Sequence, residues 1–188
     1  MHRARGAAWA LLAAAMFGLV AVAAKGIDAS ALAIACGAYL VAGVALLPAL
    51  RGLRLAPRDR WRVAAMTLFG GVLAPVALFQ GLRMTTAVDA SLLLTLEMAF
   101  TAGLASVYLH ERVRPRALVG LALLFGAAAL VALPARDAGG ERSLAGNLLV
   151  AAAALAWSVD NTVSTGLATR HDPKRLIAAK SLGGGLAL

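Results

Sequence analysis

Charge is what this chain has least of. Only 14% of its 188 residues are Asp, Glu, Lys or Arg, against about 25% in ordinary soluble domains. Hydrophobic residues make up 61% and mean hydropathy is +0.82. A soluble domain of this length has too little interior for that much apolar surface. Cysteine is nearly absent as well. The lone Cys36 excludes an internal disulfide, and with His2, His110 and His171 scattered there is no Cys/His cluster for a metal. Nor does the chain contain Gly-x-x-x-x-Gly-Lys-Ser/Thr, His-Glu-x-x-His or Gly-x-Ser-x-Gly. No enzyme activity, metal or cofactor is therefore expected.

What is present is a set of long apolar runs. Ala7–Ala24, Ser30–Leu50, Val63–Leu82 and Ala117–Ala135 carry no charge. Ala87–Tyr108 carries Asp89 and Glu97, and Leu144–Ala168 carries Asp160 beside Asn161. A helix needs about 20 residues at ~1.5 Å each to cross a bilayer core. These six runs predict an all-α polytopic membrane protein, with the lipid bilayer as its surroundings and with Gly and Ala permitting close helix approach.

The formal net charge of +9 would suit nucleic acid, but its distribution does not. Arg3 and Arg5 precede the first run. Arg51, Arg54, Arg58, Arg60 and Arg62 separate the second from the third. Arg112, Arg114 and Arg116 separate the fourth from the fifth, and Arg170, Lys174 and Arg175 follow the sixth. The intervening connections carry only Lys25, Arg83, Arg136 and Arg142, thirteen basic residues against four, alternating connection by connection. This is the positive-inside pattern with a cytoplasmic N-terminus, predicting a multi-pass protein of the plasma (inner) membrane and no nucleic-acid partner. The alternation works only if the first run stays and crosses, which argues against a cleaved signal peptide.

Glu97 lies near the middle of its run. A charge there costs about 2.5–3.5 kcal/mol on insertion scales, so it is expected to face other helices or a water-filled cavity. It is the first candidate for a substrate or ion pathway, as partner of a substrate amine or as proton acceptor. The competing reading is a polar contact gluing two helices together. Asp160 and Asn161, about two-thirds along the sixth run, come second, with the same competing reading. Trp157 is deep enough to line a cavity, and Lys180 faces either Asp160 or a substrate anion. Trp9, Trp61 and Tyr108 sit near run ends as an aromatic belt would.

The segment Arg136–Ser143, with Gly139 and Gly140, is the expected boundary between two units, residues 1–135 and 144–188. Across it Leu11–Gly18 is faintly echoed by Ala151–Ser158, with an aromatic-small pair in both. Five spans is an odd number, so a second copy would enter from the opposite side as an inverted repeat. The last apolar run, Leu176–Leu188, is short and contains Gly183, Gly184 and Gly185. It reads as a re-entrant end or as the cut second helix of that repeat; the latter predicts an intact protein of roughly 280–300 residues.

The stretch Phe79–Leu133 adds a resemblance. Gly81-Leu82, Thr85-Thr86, Leu96-Glu97, Phe100-Thr101, Glu111-Arg112, Gly120 and Gly126 are similar to the EamA repeat of the drug/metabolite transporter superfamily. Phe17-Gly18 through Lys25 resembles the start of its first helix. Met98 stands where that pattern has proline after the glutamate, and His110 where it has glycine. Proline there would bend the helix. The resemblance implies one complete five-helix repeat plus the start of a second, inverted one. It implies a permease or exporter of small metabolites or drugs, a small-molecule substrate as partner, and alternating access between the repeats. A truncated or non-transporting helical membrane protein without activity of its own is the alternative. A homodimer is the remaining partner arrangement, and it needs opposite insertions that the charge bias opposes.

Overall fold

The computed structural model describes residues 2–108, 114–132 and 143–188. Most of the expected boundary segment 136–143, the end of the fifth run at 133–135, and the turn with His110, Glu111 and Arg112 lie outside the described residues. The described residues form helices and no strands, the spanning solution that satisfies backbone groups internally where water is absent.

Among the described residues seven helices follow one another. α1 is His2–Lys25. α2 is Ala31–Ala45, started by the Ser30 hydroxyl, which accepts from the Ala33 amide at 3.1 Å. α3 is Pro57–Leu82 and α4 is Ala87–Tyr108, the latter capped by Thr86, whose hydroxyl accepts from the Asp89 amide at 3.0 Å. α5 is Pro115–Ala132. α6, Leu144–Ala168, is capped by Ser143. α7, Pro173–Ala187, combines an Asp172 cap with proline in its first turn. Gly6–Ala24, α3, α4 and α6 are each long and apolar enough to cross a membrane. This is a multi-pass, all-α membrane fold.

Several boundaries differ from the sequence expectation. α2 stops at Ala45 and not Leu50, because Pro48 has no N–H to continue the ladder; a 3₁₀ turn, Leu47–Leu50, follows. Its 15 residues give about 22 Å of helix. α3 begins at Pro57, inside the expected connection 51–62, since proline is pre-set for the first helical position. α7 carries all three of its glycines in regular helix.

α6 is the centre of the bundle. It packs against α3 and α4 and buries Asn147, Val150, Ala153, Ala154, Ser158 and Asp160, among others. α7 packs against α2 and the middle of α3. Small residues make that approach close: a methyl group at Gly184 would lie 2.7 Å from the Gly71 carbonyl oxygen, and one at Gly43 would lie 2.8 Å from the Leu182 backbone. α1 and α5 are peripheral. Among its described residues the apolar window of α1 buries none, and Leu11, Met16 and Leu19 are exposed.

Candidate functional site

The middle of α3 departs from the α-helical register. Residues Thr67–Leu73 form a π-helical segment, in which each N–H reaches the carbonyl five residues back. The Ala74 amide accordingly bonds the Phe69 carbonyl. Next in that ladder is Pro75, which has no N–H, so the Gly70 carbonyl receives no backbone donor from it. Two side chains donate to it. The Tyr39 hydroxyl does so from α2, and the Trp157 indole N–H does so from α6 at 3.2 Å.

Gly70 also lies directly beneath Asp160. A methyl group at Gly70 would overlap the Asp160 carboxylate, so only glycine lets α3 and α6 meet here. Asp160 is 2% exposed. Its Oδ2 accepts from the Lys180 ammonium of α7 at 2.7 Å. Its Oδ1 is buried with no partner among the described atoms. One residue on, the Asn161 amide donates to Glu97 Oε1 of α4 at 2.7 Å.

α4 breaks at Thr95, immediately before Leu96-Glu97. The Thr95 amide bonds Leu92 and the Met98 amide bonds Thr95, both reaching only three residues back. The discontinuity therefore exists although Met98 replaces the bending proline. The Thr95 hydroxyl donates to the Leu92 carbonyl at 2.6 Å, a local bond that competes with the helical ladder.

Beside this network is a cavity of about 290 Å³. Asp160, Asn161, Ser164, Thr165 and Lys180 supply its polar wall; Met66, Leu176 and Ile177 supply apolar wall. It runs from the Asp160–Lys180 pair toward the α6–α7 turn. At that turn Asp59, at the start of α3, accepts from Arg170 at 3.1 Å and faces His171 Nε2 at the same distance. At the other end of α6 the Thr85 hydroxyl donates to Asn147 Oδ1 at 2.5 Å.

Residues 4–133 match the EamA-like transporter family. The chain belongs to that family. An uncharacterized transporter of Methanothermobacter thermautotrophicus is 32% identical over 134 residues, which is 70% of this chain and 39% of that relative. The chain thus aligns with well under half of that relative's length. No solved structure matches.

In this EamA chain the sequence-predicted residues converge. Glu97, Asn161, Asp160 and Lys180 come from α4, α6 and α7 and meet in two adjacent pairs. Asp160, Asn161 and Lys180 line the cavity, whereas Glu97 and Trp157 do not; the Trp157 ring meets Phe17 edge-on at 5.7 Å between centroids, and its N–H serves Gly70. Sequence reasoning missed Tyr39, the π segment and the Asp59–Arg170–His171 cluster. The signal available for the second was Gly70-Gly71 followed by Pro75 inside an apolar run. An aromatic residue within an apolar run gives no such signal, and Asp59 lay in what read as a solvated connection. Cys36 is half-buried, and its thiol donates to the Gly185 carbonyl.

Proposed function

We propose that the chain forms part of a solute permease of the plasma membrane, with its N-terminus cytoplasmic. In this reading it carries small metabolites or drugs by alternating access between inverted repeats. One observation carries it: two membrane-depth carboxylates sit on facing helices in two adjacent hydrogen-bonded pairs, and one lines a cavity with a lysine and an asparagine. Charge is expensive at that depth and is retained where a pathway needs it. The broken α4, the π segment of α3 and the adjoining polar wall resemble the discontinuous helices that line mid-membrane sites. Glu97 serves as proton acceptor or as partner of a substrate amine, with Asp160 and Lys180 the charged wall beside it.

The second reading is a helical membrane protein without transport of its own. The internal pairing favours it, because Glu97 with Asn161 and Asp160 with Lys180 is also how polar side chains join helices. Glu97→Gln separates the two. A structural contact tolerates Gln, which keeps the shape and a hydrogen-bonding carbonyl. A coupling carboxylate does not. Flux of a panel of amines, amino acids and drug-like cations into proteoliposomes should fall at least about tenfold, ~1.4 kcal/mol in activation free energy, with insertion unchanged. Wild-type flux with unaltered pH dependence would reduce Glu97 to a packing residue.

A further inference from the structure

The Gly70 carbonyl ties three helices together at the residue on which Asp160 rests. Its ordinary donor is missing because position 75 is proline, and the π register makes 75 the residue that would have supplied it. The Tyr39 hydroxyl and the Trp157 indole N–H take that place from α2 and α6. Both donors are half-buried and Gly70 itself is buried, and a buried carbonyl left without a donor is costly. The carbonyl belongs to the same residue whose Cα lies against the Asp160 carboxylate.

We propose that Tyr39 and Trp157 are positioning residues. They substitute for the backbone donor that Pro75 lacks, lock the π segment of α3, and thereby hold the Asp160 carboxylate against Gly70 in reach of Lys180. Trp157 thus acts on the pathway through backbone geometry and does not touch the solute. For its effect on flux this rests on Asp160 belonging to the pathway; its structural content does not.

The test is one of rescue. Tyr39→Phe keeps the ring and removes the hydroxyl; Trp157→Phe keeps an aromatic ring on the Phe17 side and removes the indole N–H together with part of the indole volume. Ala at 75 restores a backbone N–H in register with Gly70. The readout is the rate at which a hydrophobic carbodiimide modifies Asp160 in the membrane-embedded chain, followed by peptide mass spectrometry. No substrate or transport is needed, so a chain that fails to transport leaves this result intact. The double variant Tyr39→Phe/Trp157→Phe should be modified at least ~5-fold faster than the native chain, the scale of one lost buried hydrogen bond. Adding Pro75→Ala should bring the rate back within ~2-fold of native. An unchanged rate in the double variant overturns the proposal. So does a faster rate that Pro75→Ala does not restore, since lost packing is not repaired by a peptide N–H five residues away. A second measurement needs no change at any of these positions. With Trp9 and Trp61 replaced by Phe, Trp157 is the sole indole, and its Raman signature should be that of a hydrogen-bonded N–H. A free indole N–H overturns the proposal.

Discussion

Lys180 and Asp160 each have a side chain too costly to leave alone in a membrane interior. The carboxylate is 3% exposed and the ammonium side chain 19%. Removing one partner strands the other charge, which in buried pairs costs about 3–5 kcal/mol. Asp160→Asn and Lys180→Met should each lower unfolding stability in mixed micelles by about that much. The pair of changes together should cost clearly less than their sum, because neither charge is then left unpaired. Additive losses would mean that the two do not stabilise one another. At this scale the sequence was informative where cost is high: Glu97, Asp160 and Lys180 stand out because ions are rare in apolar runs. Asp160 was one of two partners expected for Lys180, and the structure pairs them; the partner of Glu97 was not legible. Glu97 and Asn161 are 64 residues apart, and only the packing of α4 on α6 brings them together.

Helices α3 and α7 approach through glycine, and their register depends on it. A larger side chain at Gly184 has no room against the Gly71 backbone, and Lys180 lies one turn earlier on the same helix. Gly184→Leu should therefore destabilise the bundle by about 1–3 kcal/mol through overpacking. Gly120→Leu on the peripheral α5, where an added Cβ meets nothing within 4 Å, should stay within about 0.5 kcal/mol of native. Equal effects in micelle unfolding would remove the distinction between seam and periphery. Helix existence was legible from run length and hydropathy. Helix ends were not always so: Pro48 shortened α2 and Pro57 lengthened α3, each through the fixed φ and missing N–H of proline. The apolar pattern does not separate a π-helix from an α-helix over seven residues, and Gly70-Gly71 followed by Pro75 was the one signal of the π segment. The three glycines of α7 read as a weak end and turn out to be a contact face.

Across the whole molecule, lipid-facing and polar-lined surfaces are distributed over the same helices, and the account depends on telling them apart. Membership of the EamA-like family and the all-α membrane fold followed from features spread over many residues, the apolar runs and the Leu96-Glu97 and Glu111-Arg112 motifs. The inner face of α6 needed three helices in place before it became a site. The central claim is that this face opens on a water-lined pathway and is not a dry seam. It is tested by introducing single cysteines into a Cys36→Ala background, since Cys36 is the sole native thiol. Ser164 lies on the cavity wall. Leu68 is on α3, 48% exposed and two residues from Gly70, which lies against Asp160. Only a thiolate reacts with a charged, membrane-impermeant methanethiosulfonate, and a thiolate forms in water and not in hydrocarbon. In native-like membranes Ser164→Cys should react from the same side as Arg58→Cys, at least ~100-fold faster than Leu68→Cys. A Ser164→Cys as inert as Leu68→Cys, or one reacting only from the opposite side to Arg58→Cys, would contradict the account.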